Sequence, residues 1–313
     1  MSKQRLLILC CFFLIYTVWG STYLANTYAV DSIPPALVST SRFFVAGLLM
    51  WAFAALRGER FAITAAEWRA MATAGVLFLG IGVGVVVWAL QYIDSNVVAI
   101  LISLEPLLVV LLLWAWKGER PRWTSYVGIA LGILGSVMLV QQDLLVDGPR
   151  AWQAVAAVGF GMTAWGAGMI YLRDAPLPKS RYVSTGGQML IGGLCLLPFV
   201  LVGGELRNFS LDQVLPTSWW AMGFLVFFGS LVAYSAYNYL LVNVSTEKVA
   251  STTYVHPVVA IILGWSLRHE VITGHTLLAT AIILSGVVFI NFGDRLEAKL
   301  RTRWLAGAVR KVK

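Results

Sequence analysis

Three side chains in this sequence stand where an apolar chain ordinarily tolerates none. Arg42, Glu105 and His256 lie within long runs of aliphatic and aromatic residues. A charge at the centre of a membrane helix costs about 2.5–3.5 kcal/mol on insertion scales, so each must face a protein interior, a partner or water. There Arg42 can hold a carboxylate, and Glu105 an amine or a proton. The plainer alternative is a salt bridge, to each other or to backbone, that only fixes packing. His256 can carry a proton, because imidazole titrates near neutrality; a neutral ring donating to a carbonyl is its plainer role.

Rings and amides accompany these three. Tyr16, Trp19, Tyr23 and Asn26 recur at spacings of three, four and three, on one helical face. Trp88 and Gln91, Tyr234 with Tyr237 and Asn238, and Tyr254 before His256 repeat the pattern elsewhere. One such stripe is ordinary core or interface belt. Several on different helices suit an aromatic-lined cavity for an amphipathic organic solute. An inorganic ion would want more carboxylates or rings of carbonyls. Pro106 and Pro257 each withhold a helical N–H, which predicts bends that release carbonyls near 102 and 253. The candidate translocation residues are therefore Trp19, Tyr23, Arg42, Trp88, Gln91, Glu105, Trp165, Tyr234, Tyr237, Asn238, Tyr254 and His256, with Pro106 and Pro257 as helix bends. No residue set has metal-ligand spacing, no phosphate-binding glycine motif is present, and no cofactor is expected. Cys10, Cys11 and Cys195 all fall in apolar stretches and are expected to pack.

The elements that must position these residues are membrane helices. The chain is 59% hydrophobic and 12% charged over 313 residues, too apolar for a soluble surface of that size. A span needs about 20 apolar residues. Ten candidates run over 6–29, 34–56, 70–91, 94–116, 123–141, 151–172, 182–203, 217–241, 246–267 and 272–292. The runs are long and lack period-two alternation, which excludes barrel strands. The first is too long for a secretory signal and is expected to be retained. With the N-terminus inside, nineteen of the 23 lysines and arginines fall in inner loops or the tail. Only Arg150, Arg207 and Arg268 lie outside, with Arg42 within a span, which predicts cytoplasmic N- and C-termini. The net charge of +8 thus belongs to a lipid leaflet and not to nucleic acid.

Residues 92–139 and 243–290 repeat one pattern 151 positions apart. Pro106 matches Pro257, Trp114 matches Trp265, Glu119 matches Glu270 and Gly135 matches Gly286. Earlier, Thr17-x-Trp19-Gly20 recurs as Thr163-x-Trp165-Gly166. The expected organisation is two five-helix repeats, 1–142 and 143–293, followed by a basic tail, 294–313. An odd number of spans per repeat makes the halves inverted. Glu105 and His256 then occupy equivalent places with different chemistry. Glu119 and Glu270 are expected to cap or pair at the start of the next helix. The glycines of 80–84, 128–135 and 159–168 are expected to allow close helix packing.

Over nearly its whole length the chain resembles the drug/metabolite transporter superfamily, EamA branch. The resemblance rests on Trp19-Gly20-Ser21, Arg42-Phe43, Glu105-Pro106 with Gly118-Glu119, and His256-Pro257 with His269-Glu270. It departs at His256, where a glutamate would match Glu105, and at His269 in place of glycine. The resemblance implies export or exchange of small metabolites, often amino acids, across a bacterial inner membrane. The expectation is an all-α polytopic protein of ten helices acting as a secondary transporter by alternating access. Its partners are a small-molecule substrate and the bilayer, with a proton or counter-solute open as the coupling species. Competing readings are a channel-like facilitator, a multidrug exporter and an intramembrane enzyme. The last lacks any paired nucleophile and base, so no enzyme activity is expected.

Overall fold

The computed structural model describes residues 3–118, 120, 123–140, 149–207, 209–268, 273–275, 277–286 and 288–289. The expected caps at Glu119 and Glu270, the departure at His269, and the tail 294–313 lie outside them. The described residues form helices and connecting turns, with no strand among them. In chain order the helices are α1 (Lys3–Val30), α2 (Pro35–Leu56), α3 (Ala65–Ala89), α4 (Ser95–Ile102 and Glu105–Lys117) and α5 (Trp123–Val140). The second set is α6 (Pro149–Asp174), α7 (Arg181–Val202), α8 (Pro216–Asn243), α9 (Thr246–Ala250, Ser251–Tyr254 and His256–Arg268) and α10 (Leu277–Gly286). Seven are long and apolar enough to cross a membrane, and the remaining three contain shorter apolar helices. The chain is a ten-helix polytopic membrane protein.

Glycine contacts demonstrate the inversion. A Cβ on Gly47 would lie 2.8 Å from the Leu190 nitrogen and 2.9 Å from the Gly186 oxygen. A Cβ on Gly193 would lie 3.0 Å from both the Phe44 nitrogen and the Thr40 oxygen. Gly47 and Gly193 are 146 positions apart, and so are Phe44 and Leu190, and Thr40 and Gly186. As one residue number rises its contact number falls, so the equivalent helices α2 and α7 run antiparallel. The same holds for α5 and α10: Gly135 abuts Ile283 and Ala279, while Gly286 abuts Gly128 and Gly132. Backbone-to-backbone approach of this kind is what small residues permit between membrane helices.

The repeat spacing changes along the chain for a simple reason. The α2–α3 loop, 57–64, has eight residues, and the α7–α8 loop, 203–215, has thirteen. Those five extra residues move the spacing from 146 in the first helix pair of each half to 151 in the rest. At the earlier spacing Arg42 is the counterpart of Gln188. Equivalent threonines behave alike: Thr17 Oγ1 donates to the Phe13 carbonyl and Thr163 Oγ1 to the Gly159 carbonyl, each at 2.9 Å.

Both prolines mark real interruptions. α4 breaks at Ser103–Leu104 and resumes at Glu105, with Pro106 in the first turn of the new segment, where its missing N–H is harmless. α9 passes through a 3-10 turn at Ser251–Tyr254 and resumes at His256, with Pro257 next. The broken segments of α4 and α9 pack against each other. π-helical turns were not foreseen. They occupy Ile15–Trp19 in α1, Gly75–Val83 in α3 and Leu225–Val232 in α8, the last two at nearly equivalent places in the two halves.

Candidate functional site

α1, α2, α3, α4, α6, α8 and α9 enclose a cleft of about 820 Å³, its mouth included. All the interruptions just described feed it. Trp19 ends the π turn of α1, Leu79, Gly82 and Val83 belong to that of α3, and Gly229 to that of α8. Glu105 and His256 each open the resumed segment of a broken helix. π turns and helix breaks shift backbone hydrogen bonds out of register, and such positions in membrane helices are tolerated where they line a cavity.

Its aromatic floor joins the two repeats. The equivalent tryptophans Trp19 and Trp165 meet edge to face with centroids 5.7 Å apart. Tyr237 lies 4.8 Å from Trp19 and 5.4 Å from Trp165. Trp165 Nε1 donates to the Tyr237 hydroxyl at 2.8 Å. Trp19 Nε1 donates to the Gly229 carbonyl at 3.0 Å, inside the α8 π turn. Each of these half-buried indoles thus has a partner for its N–H, which fixes the ring orientation.

The polar groups are placed differently. Arg42 is 5% exposed; its Nε donates to Ser230 Oγ at 2.9 Å and its guanidinium lies over the Phe43 ring. Glu105 is 4% exposed and lies near the Tyr23 and Tyr237 hydroxyls without bonding either. Among the described residues no ion pair joins Arg42 to Glu105 or either of them to another group; the one present there links Lys117 to Asp174 at 2.7 Å. Arg42 and Glu105 thus form no salt bridge with each other, while Arg42 does tie α2 to α8 through Ser230. His256 is 1% exposed, with Trp19 and Tyr23 rings at 6.4 and 6.0 Å. Neither of its nitrogens has a hydrogen-bond partner. The Ile15 carbonyl is near the ring but outside hydrogen-bond geometry.

Eight of the sequence-selected residues line the cleft: Trp19, Tyr23, Arg42, Glu105, Trp165, Tyr234, Tyr237 and His256. Trp88 and Gln91 do not. Trp88 packs on Tyr92 at 5.0 Å where α3 ends, and exposed Gln91 donates back to the Trp88 carbonyl. Asn238 stands behind the cleft in a polar cluster: its Nδ2 reaches Gln188 Oε1 and Thr185 Oγ1 at 3.4 Å. Gln188 also accepts from the Tyr234 hydroxyl at 2.7 Å and donates to Ser184 at 3.2 Å. Tyr254 has a side chain outside the described residues. Sequence reasoning missed Gln188 and the cleft-lining Thr22, Thr252 and Thr253. The 146-residue spacing that pairs Gln188 with Arg42 would have found the first.

The EamA-like transporter family matches the chain twice, over residues 6–141 and 152–292. The chain is 33% identical to the inner membrane transporter YedA of Escherichia coli (strain K12), with 94% of each covered. It is 25% identical to protein PecM of Dickeya dadantii, over 88% of this chain and 89% of that one. It is also 25% identical to the chloroplastic WAT1-related protein At3g02690 of Arabidopsis thaliana, over 88% of this chain and 67% of that one. One solved crystal structure superposes with a TM-score of 0.71 at 20% identity, covering 94% of this chain and 99% of its own, a likeness of fold.

Proposed function

This chain belongs to the EamA-like transporter family, and from that premise we propose that it is a secondary transporter of small zwitterionic metabolites such as amino acids. One observation carries the reading: Arg42 and Glu105 line one buried cleft, opposite in charge and unpaired with each other. Two open charges in a membrane interior are expensive to keep. A solute with a carboxylate for Arg42 and an ammonium for Glu105 would offset that cost when bound. The ring floor of Trp19, Trp165 and Tyr237 suits the solute's apolar body and the ammonium face alike.

Movement follows from the architecture. The inverted halves cross at the close α2–α7 contact, and the broken helices α4 and α9 both border the cleft. Rocking one half against the other would expose the cleft alternately to the two sides, for export or exchange. The energy comes from a gradient of substrate, counter-solute or proton. The lysine and arginine distribution supports cytoplasmic termini, and the relative named an inner membrane transporter supports that membrane as the location.

Counterflow of radiolabelled amino acids in proteoliposomes tests the reading. Wild-type protein should exchange at least one zwitterion, and Glu105→Gln should insert and melt normally while losing exchange. Undiminished exchange by Glu105→Gln would remove Glu105 from the role.

A further inference from the structure

His256 is the group in the cleft that the zwitterion reading leaves unused. It is 1% exposed, and both ring nitrogens lack a hydrogen-bond partner. A neutral imidazole always presents one N–H and one lone pair. Burying both without partners incurs the desolvation penalty of each group with no hydrogen bond to offset it, and such orphaned groups in a folded protein call for an explanation. The Ile15 carbonyl is near the ring but outside hydrogen-bond geometry, and the Trp19 and Tyr23 rings, at 6.4 and 6.0 Å, offer only π faces. Asn26, one turn beyond Tyr23 on α1, completes the pattern. It lines the cleft, its Nδ2 is occupied by the Thr22 carbonyl at 2.8 Å, and its Oδ1 is buried and unpartnered. The cleft therefore holds an open acceptor on α1 and an open donor and acceptor on α9, apart from the two charges. At the equivalent place in the first half stands Glu105, so the two halves present a charge and a neutral hydrogen-bonding group from matching positions.

We propose that His256 and Asn26 read an uncharged hydrogen-bonding group on the solute's side chain, so that the preferred cargo is a zwitterion bearing a hydroxyl or a carboxamide. The inference rests on the zwitterion reading of Arg42 and Glu105 and names which zwitterions. A hydroxyl or carboxamide both donates and accepts, which matches the open groups of the pair. An aliphatic side chain of the same shape would leave all of them unsatisfied, and sites built for a hydrogen bond reject such isosteres strongly.

The test uses near-isosteric pairs, L-threonine against L-valine and L-asparagine against L-leucine, titrated into purified full-length protein by calorimetry. Wild type should bind the polar member about tenfold tighter or more. His256→Phe keeps a ring between Trp19 and Tyr23 but removes both nitrogens. It should bind the two members of each pair equally, the preference being lost through weaker binding of the polar member. Asn26→Leu should narrow the same preference, and it serves where His256→Phe fails to purify. Equal binding by wild type, or a preference surviving in the variants, overturns the inference while leaving the zwitterion reading intact. Silence of all four solutes on wild type overturns the zwitterion reading, and this inference with it.

Discussion

Replacing Gly47 by alanine should damage the protein where the two halves cross. The added Cβ would lie 2.7 Å from Leu190 Cγ, 2.8 Å from the Leu190 nitrogen and 2.9 Å from the Gly186 oxygen. Ordinary contact begins near 3.4 Å. The leucine side chain can turn away, but two of the three obstacles are backbone, so α2 and α7 must part by several tenths of an ångström along a long shared interface. Overpacking of this kind costs about 1–3 kcal/mol. At roughly 2–4 °C per kcal/mol for chains of 150–250 residues, melting should fall by several degrees. Gly193→Ala meets the Phe44 nitrogen and Thr40 oxygen at 3.0 Å and should cost somewhat less. Gly159 and Gly223 are helical glycines with no atom within 4 Å of an added Cβ. Alanine there should be neutral, or stabilising by about 0.5–1 kcal/mol through backbone entropy. Thermal unfolding of the four variants in one detergent reads the order. Gly47→Ala melting like wild type, or Gly159→Ala falling as far as Gly47→Ala, would refute the antiparallel crossing.

Pro106→Ala restores an N–H that can reach the Ile102 carbonyl and heal the break at Ser103–Leu104; it should leave melting unchanged or raised and slow counterflow, and unaltered counterflow would count against a working bend. Thr64→Ala removes a capping box in which Thr64 Oγ1 accepts from the Glu67 N–H and the Glu67 carboxylate accepts from the Thr64 N–H. It should cost about 0.5–2 kcal/mol, fraying the first turn of α3 in hydrogen exchange without affecting solute affinity. A cysteine introduced at Arg120 should react with an impermeant maleimide only in inside-out vesicles, and one at Arg207 only in right-side-out vesicles; the opposite pattern would reverse the orientation.

The helices and their interior charges were legible because membranes restrict the options. An arginine, a glutamate or a histidine inside a span has few places to go, and Arg42, Glu105 and His256 do meet in one cleft. The prolines announced their breaks through a missing N–H. Trp88 and Gln91 misled because a ring followed by an amide at a helix end looks the same whether it faces a cavity or a boundary, and Trp88 instead packs on Tyr92 where α3 ends. The π turns carried no side-chain signature. Gly80, Gly82 and Gly84 do allow close packing, against Cys195, Trp165 and Leu196, but nothing in them announced the backbone register shift that runs through 75–83. The start of α3 at Ala65, earlier than the expected 70, was written in Thr64-x-x-Glu67. Gln188 stayed hidden because the repeat was tracked at 151, and the longer α7–α8 loop resets the first helix pair to 146.

The central claim is that the open charges of Arg42 and Glu105 hold the two ends of a zwitterion. Its most direct measurement is the thermal stabilisation of purified protein by one amino acid, by its methyl ester and by its N-acetyl derivative, on wild type, Arg42→Met and Glu105→Gln. Ligand binding raises the melting temperature, and more so the tighter the binding. The account predicts that wild type responds to the intact amino acid and to neither derivative. It predicts that Arg42→Met no longer distinguishes acid from ester, and that Glu105→Gln no longer distinguishes free amine from acetylated. Equal stabilisation of wild type by all three compounds would contradict it.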